Sequence, residues 1–472
     1  MRQASDRLRP LQADPSRHRD RAARRDRSQL RPPPADRRLQ GDRERLLRPR
    51  RAGLLTPARF SGVSHGSVNE KQPTIHLVST AGHPNFGDEF IAASWLRFLA
   101  ERQPETDVVL DCPEPGLAAF LFEGLHPRVK FTNMLWRVSW LTIDADPEEG
   151  DRIVDGVLRD LGSPLFDYGL LEARRATTVH LIGGGHITAN WLHHGRLVRA
   201  ARRLAELSEA RFVATGLGLV PVIDPERIRD DLGACDHVSV RDAASAEIAG
   251  VDLGLEDAFL NLSSLPGFGA RPDPTGKPGD VWISIQSDLS TPENFAAIVA
   301  AVRAMIESGR FEGRTIRYLE SIPGRDRDRK AYDLLADLIP EENFMSFVQL
   351  WHEGFPGQPG QTWITTRFHF HQLAAAVGAE GVAIEIDDDY YRTKHQSMAD
   401  LGTGFAIAPV GTTALPEPAA DPEFRIKAGR LQRAKLDEAE AIYPRKKAPQ
   451  PVREPVAPVA APPRSRGAFG RR

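Results

Sequence analysis

Thr74-Ile75-His76-Leu77-Val78-Ser79-Thr80 is an apolar, partly β-branched run, broken by the Gly/Pro/Asn-containing stretch 82–87. Residues 88–102 then place Phe90, Ile91, Trp95, Phe98 and Leu99 on one face of a helix. A short apolar run closed by glycine reads as a buried strand, and apolar residues at three- and four-residue intervals read as a helix packed on a core. Residues 74–102 are therefore a strand-turn-helix unit, and its recurrence decides the fold.

Strands are expected at 108–111 and at 178–182, the latter running into Gly183-Gly184-Gly185, with a helix over 191–210. Strand 211–215 leads into Gly216-Leu217-Gly218, and strand 237–240 into Arg241-Asp242. The stretch 267–279 is dense in Gly, Pro and Asp and reads as a linker. Alternation then resumes, with strands at 281–285, 315–319, 363–366 and 382–386 and helices at 292–307, 327–338 and 368–377. A last helix over 423–442 can pack on either half. Alternating strands and helices imply parallel sheets with ligands at the carboxyl ends of the strands. The expected fold is α/β, with two Rossmann-like doubly wound domains, 71–266 and 280–415, facing a cleft, followed by a C-terminal helix within 416–443.

The chain of 472 residues has a net charge of −2, yet residues 1–50 hold sixteen arginines against seven acids, leaving −11 for the rest by difference. This basic end has no aromatic residue and little apolar periodicity, so it can neither stack on bases nor bury a core, and no nucleic-acid partner is expected. Residues 1–70 and the Pro/Ala/Arg-rich 444–472 are expected to be disordered tails. The basic stretch also fits upstream sequence included by a misplaced start, the native start lying near Val68; residues before Ser67 in the native protein would refute this. Cys112 and Cys235 make neither a disulfide framework nor a metal set, and His186, His193 and His194 lack zinc spacing. No apolar stretch approaches the ~20 residues of a membrane span, and no secretory-signal core is present, so a cytoplasmic location without a transmembrane segment is expected.

Thr365-Thr366-Arg367-Phe368-His369 joins a strand to a helix and aims an arginine and a histidine at one place. Arginine grips carboxylate or phosphate with a planar fork, and histidine moves a proton near neutral pH, a pairing suited to a phosphorylated carboxylic acid. The alternative is a helix start with incidental polar residues. Arg241, just past a strand, offers a second clamp or a surface salt bridge, and Asp242 a helix cap. Two arginines from opposing domains would hold both anionic groups of phosphoenolpyruvate. Asp88 reads as a helix cap or, like Glu89 and Asp242, as a base. Gly183-Gly184-Gly185 reads as close packing, with the amides around Gly184 as an alternative anion cradle. Neither a dinucleotide fingerprint nor a P-loop occurs.

In order, Asn85-Phe86-Gly87-Asp88-Glu89, Gly183-Gly184-Gly185, Thr215-Gly216-Leu217-Gly218, Val240-Arg241-Asp242 with Ser245, Asp257-Ala258-Phe259, Thr366-Arg367-Phe368-His369, and Tyr391 with Lys394 resemble the polysaccharide pyruvyl transferase family. The resemblance covers most of residues 74–410. It implies a GT-B-like architecture and transfer of the enolpyruvyl group of phosphoenolpyruvate onto a polymeric, lipid-linked or nucleotide-linked saccharide, with no cofactor or metal. It matches the phosphoenolpyruvate-binding arginines to Arg241 and Arg367, the essential histidine to His369 and a lysine to Lys394. Phe368 stands where leucine is usual, and Asp387-Asp388-Asp389 adds negative charge near Lys394. In the expected mechanism His369 protonates the methylene carbon while the arginines hold carboxylate and phosphate. A nucleotide-sugar glycosyltransferase and a non-catalytic saccharide- or anion-binding protein remain as alternatives.

Overall fold

Six strands occupy the first half: β1 (Thr74–Val78), β2 (Asp107–Asp111), β3 (Val129–Thr132), β4 (Thr178–Leu181), β5 (Arg211–Leu217) and β6 (His237–Val240). All pair in parallel, in the order β3-β2-β1-β4-β5-β6. The second half holds β7 (Val281–Ser284), β8 (Ile316–Leu319), β9 (Phe344–Met345), β10 (Thr362–Thr365), β11 (Glu380–Ile384) and β12 (Ala406–Ala408), again parallel, in the order β12-β11-β10-β7-β8-β9. Counted within its own half, each sheet has the doubly wound strand order with a switch point, between β1 and β4 and between β7 and β10. Two such sheets with flanking helices give the GT-B-like architecture that the sequence implies. This is a computed structural model, and it describes residues 73–222, 224–274, 279–387 and 389–445. The tail 1–70 with its start near Val68, part of the linker, Asp388 and residues 446–472 lie outside the described residues.

The four strands at the switch points are buried along their whole length, as parallel strands covered on both faces must be. Helix Phe86–Arg102 is buried on almost every side. The sequence reading gave it one apolar face; Phe86 shows why it has more, because its ring packs against Phe355 and Phe370 of the second half, with centroids 6.2 and 5.7 Å away. One continuous core consequently runs from Ile75 and Leu77 of β1 through Trp95 to Trp363, Phe370 and Phe424. Each such side chain contributes roughly 1.5–3 kcal/mol on burial.

Three sequence boundaries move. The expected helix over 191–210 is a 3₁₀ turn, Leu192–His194, followed by helix Gly195–Ser208. Over 327–338 only Asp328–Asp333 is helical, and the strand expected at 382–386 begins two residues earlier at Glu380. Residues 113–177, unassigned from sequence, hold β3 and four helices (Pro115–Leu121, Met134–Trp140, Pro147–Arg159 and Asp167–Ala173). The last helix, Phe424–Ile442, packs on both helix Phe368–Val377 and the 3₁₀ segment Asp257–Ser264. Among the described residues no helix is long and apolar enough to cross a membrane.

Candidate active site

The loops leaving the carboxyl ends of the two sheets meet one another. Phe86, after β1, donates its N–H to the Ser321 carbonyl after β8 at 3.1 Å. Tyr390, after β11, donates its hydroxyl to the Gly185 carbonyl after β4 at 2.5 Å. Gly87 lies against His369, and a Cβ there would sit 1.9 Å from His369 Nδ1, so only glycine admits the ring. Asp88 is in the first turn of its helix; the cap is Asn85, whose Nδ2 donates to Asp88 Oδ2 at 2.8 Å. Asp88 therefore does not cap the helix, and the Asn85 side chain makes no capping bond to a backbone N–H either. Asp242 does cap helix Ala243–Ala249, accepting from Ser245 N at 2.8 Å.

Arg241 follows β6 and is 4% exposed. Glycines make its space: a Cβ on Gly218 would approach Arg241 Nε to 2.6 Å, and one on Gly185 would approach Nη2 to 2.7 Å. Its guanidinium lies 4.7 Å from the centre of the Phe368 ring. The ring at this position therefore gives the arginine a face that a leucine lacks. The nearest carboxylates are Glu256, 3.8 Å from Nη1, and Asp242, 4.0 Å from Nε, and neither Nε nor Nη1 makes a hydrogen bond among the described residues. An interior donor without an acceptor is costly, so this is an unusual resting place for a structural arginine.

Lys394 meets the same space over Gly185, its Cε 3.1 Å from where a Cβ would be. Its ammonium lies 3.5 Å from the Tyr390 ring centre and forms no hydrogen bond or ion pair among the described residues. Burial, reinforced by Arg241 and partly opposed by Asp88, pushes its pKa well below the ordinary lysine value. Asp387, part of the acidic run, accepts from the backbone N–H of Tyr391 at 2.9 Å and so caps the helix Tyr390–Asp400 that carries the lysine. His186 completes this wall, both ring nitrogens unpartnered; burial pushes it down to about 4.

Arg367, at the end of β10, is bonded on one edge. Its Nε and Nη2 donate to Asp328, and Nη2 also reaches Asp288 at 3.3 Å. Burial works against the charge, yet the two carboxylates hold the guanidinium above its ordinary value. For Asp328 burial wins over Arg367 and raises the carboxyl. The arginine is thereby fixed in direction, and Nη1 makes no hydrogen bond among the described residues. His369, two residues on and 13% exposed, makes a 3.2 Å contact from Nε2 to Glu256 Oε1.

Gly183 and Gly184 are packing glycines. A Cβ on Gly183 would lie 2.9 Å from Asp257 Cγ, while Gly184, at φ +141°, leaves 3.6 Å to Asp88 Oδ1. The Gly184 carbonyl accepts from Gly218 N at 2.9 Å, continuing the sheet. Asp257 is a fastening point: Oδ2 accepts from Trp95 Nε1, Gly183 N and Thr215 Oγ1 at 2.7–2.8 Å, and Oδ1 pairs with buried Lys435 at 2.5 Å. Arg241, Lys394, Asp88 and Gly184 thus surround one spot, and Arg367 and His369 approach it beside Phe368. Sequence reasoning passed over Glu256 and Tyr390, and weighed His186 only as a zinc ligand. Glu256 adjoins the quoted Asp257-Ala258-Phe259 and Tyr390 adjoins Tyr391, so adjacency was the only signal.

A family model described as polysaccharide pyruvyl transferase matches residues 85–343, more than half of the chain. The match includes Asp88, Gly184 and Arg241; Arg367, His369 and Lys394 lie beyond it. Comparison with curated proteins returns no match. Similar solved structures include the UDP-GlcNAc 2-epimerase of Methanocaldococcus jannaschii in complex with UDP-GlcNAc and UDP (13% identity, 78% of this chain and 98% of that one, TM-score 0.44). Others are the UDP-GlcNAc 2-epimerase of Neisseria meningitidis bound to UDP-GlcNAc (10%, 78% and 99%, TM-score 0.44) and Os79 of O. sativa in complex with U2F and trichothecene (13%, 78% and 100%, TM-score 0.45). With the family model spanning both glycine turns, Arg241 and the Asp257 motif, the chain belongs to the polysaccharide pyruvyl transferase family and is a transferase.

Proposed function

We propose that the protein transfers the enolpyruvyl group of phosphoenolpyruvate to a saccharide, forming a pyruvate ketal and releasing phosphate, in the cytoplasmic synthesis of a cell-surface polysaccharide or glycolipid. The observation that carries this reading is the buried Arg241 with unbonded Nε and Nη1 beside Lys394, which has no ion pair among the described residues. A guanidinium with spare donors beside an amine that a bound anion would protonate suits a ligand with two anionic groups, and Arg367 adds a donor from the other half. No cofactor is needed for the chemistry.

A proton from His369 goes to the methylene carbon of the donor, which becomes a methyl group and leaves the adjacent carbon electron-deficient. A saccharide hydroxyl adds there and gives up its proton. A second hydroxyl of the same sugar then displaces phosphate, its proton leaving with the phosphate or through the protein. Arg241, Arg367 and Lys394 stabilise the carboxylate and the departing phosphate. Asp88, beside Lys394 and His186, is placed to accept a hydroxyl proton.

The test is phosphate release from phosphoenolpyruvate by the full chain, with a cell-envelope saccharide extract as acceptor. Release that depends on the acceptor and disappears in Arg367→Ala and His369→Ala supports the reading. No release and no calorimetric binding of phosphoenolpyruvate would remove the donor, and turnover of a nucleotide sugar would replace it.

A further inference from the structure

The geometry points to Glu256 as a positioning residue that fixes the His369 ring, an inference that rests on the donor site proposed above. Glu256 is 1% exposed and stands at the N-cap of the 3₁₀ segment Asp257–Ser264. Its two oxygens have separate tasks. Oε2 accepts from the Ala258 backbone N–H, which anchors the carboxylate to the chain. Oε1 faces the seam and lies 3.2 Å from His369 Nε2 and 3.8 Å from Arg241 Nη1.

Burial opposes ionisation of Glu256, but His369, Arg241 and the Ala258 amide together hold it below the ordinary carboxylate value. An ionised carboxylate only accepts, so the proton in this contact resides on His369 Nε2. On the other side of the ring Gly87 backs onto Nδ1. The ring is thus held between a carboxylate and a glycine, and a flip would place carbon against Glu256. Orientation of the acid is set before substrate arrives, which is where catalytic geometry gains most. Because Glu256 belongs to the first half and His369 to the second, the carboxylate also registers the two sheet edges against each other.

Glu256→Gln preserves shape and removes the charge, and Glu256→Asp preserves the charge. With phosphoenolpyruvate as varied substrate, Glu256→Gln should lower kcat at least about tenfold without raising KM, since Arg241 keeps its place over Phe368 and loses only a competing carboxylate. Glu256→Asp should recover part of kcat. Unchanged kcat, or a KM that rises in step with a lost melting transition, would overturn the assignment. Nitrogen NMR of histidine-labelled protein without substrate, with the His369 signal identified by its loss in His369→Asn, should show Nε2 protonated in the wild type and an altered signal in Glu256→Gln. An identical His369 signal in both proteins would also overturn it. Absence of phosphate release by the wild type would strike the donor assignment alone, because the nitrogen spectrum reads the hold of Glu256 on His369 directly.

Discussion

Replacing Lys435 by methionine should unfasten the last helix from the segment that follows Glu256. Lys435 is fully buried on the last helix, its ammonium bonded to Asp257 Oδ1 at 2.5 Å, Glu438 Oε2 at 2.7 Å and the Leu255 carbonyl at 2.9 Å. Methionine fills the same volume but leaves Asp257, itself fully buried, with three hydrogen bonds on one oxygen and no counter-charge on the other. Removing one member of a buried ion pair costs about 3–5 kcal/mol, and extra apolar burial returns on the order of 1 kcal/mol. A net loss of about 3 kcal/mol corresponds to more than a hundredfold in the folding equilibrium, a large share of ordinary stability. Urea unfolding followed by tryptophan fluorescence suits the assay, because the Trp95 indole donates to the same aspartate. Asp257→Asn and the double variant complete a cycle, and the coupling should exceed about 2 kcal/mol, with the double variant more stable than the sum of the single losses allows. A Lys435→Met loss below about 1 kcal/mol, or an additive cycle, would refute the claim that this charge pair fastens the last helix.

Glu89, buried and accepting from Gly82 N at 2.9 and 3.1 Å, is raised by burial from 4.5 to about 8. Between those values the folded protein holds a proton the unfolded chain has released, so stability falls as pH rises from about 4.5 through about 8. Glu89→Gln should melt with the wild type near pH 4.5 and above it near pH 8.5; a wild type that gains stability over this range relative to the variant contradicts the assignment. Formation of the phosphoenolpyruvate complex should be accompanied by proton uptake, because the bound negative charge favours the protonated form of Lys394 that burial and Arg241 disfavour. Calorimetry in two buffers of different ionisation heat measures the uptake, which should vanish in Lys394→Met and would count against the placement of Lys394 if it persisted there.

Strand-turn-helix alternation was legible because parallel strands covered on both faces are continuously apolar, as β1, β4, β7 and β10 are. β3 and β9 were not: they are short edge strands, only partly buried, and their side chains carry no clear period. Arg241, Arg367 and His369 stood out because each follows a strand that could be read, whereas Lys394 entered only through the family resemblance. Their partners did not, since Asp328, Asp288 and Glu256 lie 39, 79 and 113 residues away from the groups they hold. A charge that orients another across such a separation leaves no local pattern. The acidic run shows the same limit from the other side: Asp387 does add charge near the lysine, but its bond to the Tyr391 amide at the start of the helix was not readable.

The apolar core shared by both sheets has a mechanical consequence. Two Rossmann-like halves usually suggest a hinge, with substrate entering as the halves swing apart. Here Phe86 is stacked on Phe355 across the boundary, and the last helix, arriving from the second half, is pinned to the first by Gln432 to Ser263, His237 to Glu438 and Arg211 to the Ile442 carbonyl. A wide swing would expose that core and break those bonds together. Turnover should therefore depend little on inter-domain flexibility.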